Sequence, residues 1–392
     1  MLQILIGPNG HGKTTYLNQT REALEKAGES VFFIPSEIKL LDEVKDTVDT
    51  SQTMEYLLTE LLTTPDFISK RDALFDEADS IIKDNLPALN TILEDVLSLN
   101  GEARSSDFIS SNKKRTVKNL VSINQNDIKK KMGSGQRMQL LLKLAANSNR
   151  KSIFLDEPEK YSHPSLLNST ALAINSLVAK GKNVYIATHS PKLISMIDVD
   201  YEDIYLINDS SHALKEIPFD QAVADTAKLF NLGSMKAQNK RYYSSGSSLS
   251  GSIKKRHNRQ FLEALFSKRV YLCEGANDEI LINAALQQLG GYFDDYAIFK
   301  AWGKVNLPVF AQLFSLLGIN VVVLFDKDDE SKPFHKEAND AVRSLSGSIV
   351  SLEQDPNIEK AVGYSGKKED ALSFMDYLES ISIDTRFDLA SL

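Results

Sequence analysis

The chain has 392 residues, and at roughly 150 residues per domain that length predicts two or three domains. Hydrophobic residues make up 42% and charged residues 25%, a globular composition that excludes disordered, collagen-like and low-complexity chains. With 53 acidic against 45 basic residues the net charge is -8, so any nucleic-acid contact has to come from local basic patches and not from a global field.

The sole cysteine, Cys273, excludes an intrachain disulfide and a cysteine-rich zinc site, which fits a reducing compartment and leads us to expect a cytoplasmic protein. No apolar run approaches the roughly 18 residues of a membrane span. Leu2-Gln3-Ile4-Leu5-Ile6 leads straight into a glycine-rich turn without a basic region or cleavage site, so neither export nor membrane contact is expected.

Short β-branched and aromatic runs recur at residues 2–6, 31–34, 152–155, 184–187 and 204–207. They are separated mostly by helical stretches, which predicts a largely parallel sheet. Helical stretches such as 54–62 and 86–99 interrupt the series, so a helical insertion is expected over about 40–130 within a first domain of 1–220. Residues 235–260 turn rich in Ser, Gly and Lys, a composition that loses too much entropy on ordering to pack alone. A helical or basic linker, or a dimerisation segment, is expected over 221–265. A second strand-helix series at 269–273, 280–289, 297–300, 307–317 and 321–325 predicts another α/β domain over 266–392.

Gly7-Pro8-Asn9-Gly10-His11-Gly12-Lys13-Thr14 satisfies G-x-x-x-x-G-K-[ST] between an apolar strand and a helical stretch, the context this phosphate-binding loop needs. Glycines such as Gly10 and Gly12 let backbone N–H groups curl around phosphates, and the following helix adds its positive end. Lys13 reaches the outer phosphates and Thr14 offers a hydroxyl to Mg²⁺, with Asn9 and Thr15 flanking them in the nucleotide site. Ser152-Ile153-Phe154-Leu155-Asp156-Glu157 is an apolar strand ending in two carboxylates, which puts Asp156 on Mg²⁺ and leaves Glu157 to polarise a water. Alone, such a strand end is as readily a solvated pair; beside the phosphate loop it reads as its partner.

Ser134-Gly135-Gln136 opens a helical segment before that strand, and Ala187-Thr188-His189-Ser190 ends the next one. In this order the four motifs resemble those of the ABC ATPases. The resemblance implies two ATPs sandwiched between the heads of a homodimer or a higher even-numbered homo-oligomer, with Ser134, Gly135 and Gln136 on the partner's nucleotide and His189 sensing the γ-phosphate. No glutamine is assigned to the Q-loop, Gln52 and Gln125 being equal candidates.

In the second half, strand 270–273 ends in Glu274-Gly275, Asp278 enters the next helix, and strand 321–325 ends in Asp326-Lys327-Asp328. Parallel strands bring such ends to one edge. Hard oxygens gathered there suit Mg²⁺ or Mn²⁺, and two such ions could clamp the attacking and leaving oxygens of a phosphodiester. This pattern resembles the Toprim fold of topoisomerases, primases and certain nucleases. It implies Glu274 as metal ligand or general base, and Asp278, Asp326 and Asp328 as metal ligands. An ABC head joined to a Toprim domain is similar to the overcoming-lysogenization-defect (OLD) family of ATP-dependent nucleases. That resemblance implies Glu359 in a second metal site, Lys367 or Lys368 on the scissile phosphate, and Gly303, Lys304 and Asn306 as supporting residues.

Lys236, Lys240, Arg241, Lys254, Lys255, Arg256 and Arg259 form an acid-free basic stretch with Tyr242 and Tyr243 interleaved, and residues 113–137 carry eight basic residues against Asp127. Both suit phosphate neutralisation without base readout. The leading expectation is an ATP-gated, metal-dependent DNA nuclease in defence against invading DNA, possessing a homodimeric head and open to a neighbouring-gene protein partner. The alternative is an ATP-dependent scaffold that clamps DNA or protein, its Toprim acids being structural.

Overall fold

The computed structural model describes residues 1–7, 10–36, 84–88, 90–91, 103–105, 121–123, 126–127, 134–160, 163–207, 213–233, 235–288, 296–367 and 370–383. Within them the chain divides into two units, Met1–Lys215 and Glu216–Leu392.

In chain order the strands of the first unit are β1 (Leu2–Ile6), β2 (Val31–Ile34), β3 (Ala103–Ser105), β4 (Val121–Ile123), β5 (Asn126–Asp127), β6 (Ser152–Asp156), β7 (Asn183–Ala187) and β8 (Ile204–Leu206). Five of them form a sheet in the order β2-β6-β7-β1-β8, with every pairing parallel. Its strands read as continuous apolar runs because parallel sheets are covered on both faces: Ile4, Leu5, Phe32, Ile153, Phe154 and Ile186 are all buried. The first unit's helices include α1 (Lys13–Lys26), α2 (Ser134–Asn147), α3 (Pro164–Ala179) and α4 (Pro191–Met196). In α3 the buried residues Leu167, Ala171, Ile174 and Leu177 recur at helical spacing, one stripe against the sheet.

The insertion expected to be helical over about 40–130 lies mostly outside the described residues, as do Gln52, Gln125 and most of the basic stretch 113–137. What is described there is helical at 84–88 and 90–91, in keeping with the helical stretch expected over 86–99, and includes β3, β4 and β5, an antiparallel sheet. Strands of two or three residues are too short for alternation to show in sequence, so a helical reading missed them.

The second unit begins with helices α5 (Phe219–Ala227), α6 (Ala237–Tyr243), α7 (Gly246–Arg256) and α8 (Asn258–Leu265). A strand-helix series follows: β9 (Arg269–Cys273), α9 (Ala276–Gln288), β10 (Tyr296–Lys300), α10 (Leu307–Leu316), β11 (Asn320–Asp326), α11 (Pro333–Arg343), β12 (Ile349–Gln354), α12 (Ile358–Ala361) and α13 (Ala371–Ser380). The sheet order is β10-β9-β11-β12, again all parallel. Cys273 closes β9 fully buried, and burial pushes its thiol well above the ordinary range.

The stretch expected to be a linker is helical, but it packs into the second unit's core. Tyr242, Tyr243, Leu249, Ile253 and Phe261 are buried. Tyr242 and His257 join Phe299 and Phe310 in an aromatic cluster with ring centroids 4.6–6.1 Å apart, each good pair adding roughly 0.5–1.5 kcal/mol beyond the area it buries. Gly246, which reads as flexibility in the sequence, is a close-approach residue: a Cβ there would stand 2.4 Å from Asp220 Oδ1, to which the Gly246 N–H donates at 2.8 Å. The seven basic residues stay exposed. Tyr242 and Tyr243 therefore do not interleave with them at the surface.

Candidate functional sites at two strand edges

In the first unit the carboxyl ends of β1, β6 and β7 meet at one edge. Gly7 follows β1 with φ 144°, and a Cβ on it would lie 2.2 Å from the Ile207 carbonyl oxygen beside β8, so only glycine fits. Gly10 and Gly12 also adopt positive φ, and Gly12 caps α1, which starts at Lys13 with no acid in its first turn. The helix thus offers bare N–H groups and a positive dipole end to an anion. Lys13 is buried and donates to the Gly7 carbonyl at 2.8 Å. Burial pushes its pKa down to about 8, against the pull of Glu157, Asp156 and Glu159.

Thr14 Oγ1 donates to Asp156 Oδ1 at 3.0 Å, which joins phosphate loop and β6 in one hydroxyl-carboxylate pair. Burial raises the Asp156 pKa, with the Thr14 hydrogen bond opposing. Glu157 holds φ 48°, a strained setting for a side chain with a Cβ. Its N–H bonds the Ala187 carbonyl at 2.8 Å, and its carboxylate meets His189 Nε2 at 2.8 Å. Glu159, which sequence reasoning passed over, accepts from Thr188 Oγ1 at 2.7 Å and from His189 N–H at 2.8 Å, orienting the loop that carries His189. Nothing in the sequence signals it, because its partners lie about thirty residues away. Thr15 is exposed on α1. At the start of α2, Gly135 is buried and Gln136 partly so; only the backbone of Ser134 is described, and Asn9 lies outside the described residues.

In the second unit β9 and β11 are neighbours from which the chain runs outward in opposite directions, to β10 and to β12. That is the switch point at which parallel sheets bind ligands outside their carboxyl ends. Glu274 follows β9 and Asp326 ends β11, and the Asp326 N–H donates to Glu274 Oε1 at 3.0 Å. Burial pushes the Glu274 pKa up to about 8, with Lys304 pulling the other way. The buried Lys304 donates to the Asp326 carbonyl and to Asp328 Oδ2 at 2.8 Å, and its ammonium is 3.7 Å from Glu274. Asp328 adopts φ 54° and also meets His335 Nδ1 at 3.3 Å, a neighbour sequence reading did not name.

Asp326 Oδ1 accepts from the Ile358 N–H at 2.8 Å, bringing α12 onto the same edge. Glu359, in that helix, accepts from Asn277 Nδ2 at 2.8 Å. Asp278 Oδ2 takes the Gly275 N–H at 2.8 Å, inside the first turn of α9 where the helix dipole favours an acid. Gly303 N–H donates to the Glu274 carbonyl at 3.2 Å, and Asn306 Nδ2 staples the turn through the carbonyls of Ala301 and Trp302.

Glu274, Asp326, Asp328 and Lys304 are thus one contact group. Glu359 and Asp278 are buried beside the same edge, each held by its own partner. Lys367 is exposed and makes no ion pair with the carboxylates among the described residues, and Lys368 lies outside those residues. The donor set is all hard oxygen, which fits Mg²⁺ or Mn²⁺ in kind. In this arrangement, however, no three acidic, histidine or cysteine side chains among the described residues are gathered as a metal group, and the cation among the carboxylates is the Lys304 ammonium.

An all-parallel sheet with the phosphate loop and the ends of β6 and β7 at one edge, followed by a parallel sheet edged with carboxylates, has the fold of an ABC-type ATPase unit followed by a Toprim unit. Residues 265–328 match the family model described as overcoming lysogenization defect protein-like, TOPRIM domain, so that stretch is similar to the Toprim domain of OLD-like proteins. The chain is 28% identical over 179 residues to the Old nuclease of Escherichia phage P2, an alignment covering 45% of this chain and 27% of that protein. Among solved structures, it overlaps a dimeric ATP-binding cassette bound to ADP and phosphate at a TM-score of 0.32 and 15% identity, over 53% of this chain and 82% of that one. An SMC head bound to the winged-helix domain of ScpA overlaps at a TM-score of 0.33 and 12% identity, over 55% and 88%. Units of these two kinds use a nucleotide and a divalent metal. Among the described residues no helix is long and apolar enough to cross a membrane.

Proposed function

We propose that the protein is an ATP-gated, divalent-metal-dependent nuclease that hydrolyses phosphodiesters of DNA. The observation that carries this reading is the meeting of Glu274 and Asp326 at the switch point of the second sheet, where the Asp326 N–H bonds the Glu274 carboxylate. Divalent cations supply charge neutralisation and a nucleophile at neutral pH in such sites. Asp326 and Asp328 would hold the ion, with Glu359 and Asp278 near a second one. Glu274 is a ligand or, once deprotonated, the general base; burial raises its pKa to about 8, which a bound cation would bring down. Lys367, exposed, or Lys368 would be offered to the scissile phosphate.

In the first unit Gly10, Gly12, Lys13 and Thr15 would cradle ATP phosphates. Thr14 and Asp156 would hold Mg²⁺, and Glu157 would orient the attacking water while His189 contacts the γ-phosphate. Ser134, Gly135 and Gln136 would complete the nucleotide site of a second protomer, so a homodimer forms on ATP binding. Defence against phage DNA is the role that the likeness to the OLD family suggests.

Plasmid cleavage in Mg²⁺ or Mn²⁺, with and without ATP, tests this. Wild type should cut, while Glu274→Gln and Asp326→Asn should not, with ATP turnover in both within about threefold of wild type because the two sites lie in separate units. Glu157→Gln should bind ATP without turnover and accumulate a dimer visible by light scattering. A second reading draws support from Lys304: a site whose carboxylates are satisfied by an internal ammonium suits an ATP-dependent scaffold. Absence of cutting under every metal and nucleotide condition would favour it.

A further inference from the structure

Trp302 is the only tryptophan of the chain and is 68% exposed. It stands two residues after the end of β10, in the turn tied to the carboxylate edge by the Gly303 N–H bond to the Glu274 carbonyl and closed by the Asn306 staple on the Trp302 carbonyl itself. Two residues on is Lys304, whose ammonium sits among the carboxylates. Trp302 holds φ 57°, a left-handed setting that a bulky side chain adopts at a cost. Its ring is mostly in water, so neither burial nor backbone preference explains a tryptophan there. On the other side of the same turn, the Tyr243 hydroxyl donates to the Val305 carbonyl, which ties the turn to α6 with its exposed Lys240 and Arg241.

An exposed aromatic residue on a turn bonded on one side to the acidic strand end and on the other to a basic helix meets the requirements of an unpaired nucleobase: a flat apolar face for the base and cations for its backbone. We infer that Trp302 stacks on an unpaired base next to the phosphodiester presented to Glu274 and Asp326, so that the site takes single-stranded or locally unpaired DNA. A base inside an intact duplex keeps both faces covered and offers the ring nothing. This inference rests on the nuclease reading above and adds the strandedness of its substrate.

The test uses the full chain with chelator present, so that binding is read without cleavage, and short oligothymidylate as the probe. As the sole tryptophan, Trp302 provides the emission signal itself. Oligothymidylate should quench it, and a blunt duplex of equal length should leave it nearly unchanged. By anisotropy of a dye-labelled strand, Trp302→Ala should weaken single-strand binding by about 5- to 150-fold, the range for loss of one base-aromatic stack. Trp302→Phe keeps a flat ring and should hold most of the affinity. As an exposed residue Trp302 can be replaced without loss of fold, which circular dichroism checks.

If the labelled strand binds while emission stays flat and Trp302→Ala binds like wild type, the stacking inference is wrong and the nuclease reading stands. If emission changes only with protein concentration, Trp302 is a contact between copies and the inference fails. If no oligonucleotide binds at all, the stacking inference falls, while the nuclease reading is decided separately by plasmid cleavage with metal and ATP.

Discussion

The two sites of this chain each bury a lysine at the carboxyl edge of a parallel sheet, and they do so with opposite electrostatic plans. Lys13 bonds a carbonyl of its own loop, and burial draws its pKa down to about 8. Its desolvated charge lies at the start of α1, a helix end that suits an anion. Lys304 is buried to the same degree but lies within 2.8 Å of Asp328 and 3.7 Å of Glu274. There the acids outnumber the lysine, and the ammonium holds together carboxylates that would repel one another in its absence. On the function proposed above, a phosphate would complete the first lysine. The other stands where a metal cation would relieve it.

Substitution of each lysine by methionine, which keeps the length and removes the charge, separates these plans. Lys13→Met should cut ATP turnover by roughly 100- to 1000-fold, as for loss of a charged group that stabilises a transition state, without lowering the ligand-free melting temperature. A parallel loss of stability would break the comparison. His257 sharpens it as a third buried base, one whose pKa is pushed down to about 4 by burial and by Arg256. Because the folded pKa lies below the ordinary value of about 6.5, the neutral ring stabilises the fold fully above that pH, and this contribution is lost as pH falls toward 4. Urea unfolding should therefore show the stability of wild type, relative to His257→Phe, dropping by about 3 kcal/mol between pH 7 and 4.

Lys304→Met should destabilise the chelated protein by about 1–3 kcal/mol, since carboxylates lose their internal cation. Added Mn²⁺ should restore more melting temperature to this variant than it adds to wild type. If chelated Lys304→Met melts like wild type, the carboxylates do not depend on the ammonium. The smallest effect expected is at Trp302, where glycine relieves the left-handed backbone and should raise stability by up to about 1 kcal/mol, a shift of a few degrees.

Much of the chemistry was legible because it is local. The phosphate loop needs its glycines and Lys13 within one short run, and strand ends announce themselves as apolar residues followed by acids. Contacts that belong to no motif were not legible: Glu159 on Thr188, His335 on Asp328, or the Ile358 N–H on Asp326. The Ser- and Gly-rich stretch misled in a different way. Its glycine and serines read as entropy, yet Ser245 Oγ caps α7 through the Ser248 N–H at 3.1 Å and Gly246 lets the backbone reach Asp220. The buried stripe of Tyr242, Tyr243, Leu249 and Ile253 is spread over two short helices, so neither shows a full helical period on its own. Trp302 belongs to no pattern; only its exposure and its place beside Glu274 single it out.

The burial of Cys273 at the end of β9 leaves the described surface without an accessible thiol. A cysteine placed at Ser346, exposed in the turn before β12 and on the amino edge of that sheet, would be the single labelling handle of each protomer. A spin or fluorescent label there sits on the face opposite the carboxylates. In an assembly of identical copies it would report protomer-to-protomer distances alone, turning a question about nucleotide-driven association into a ruler measurement.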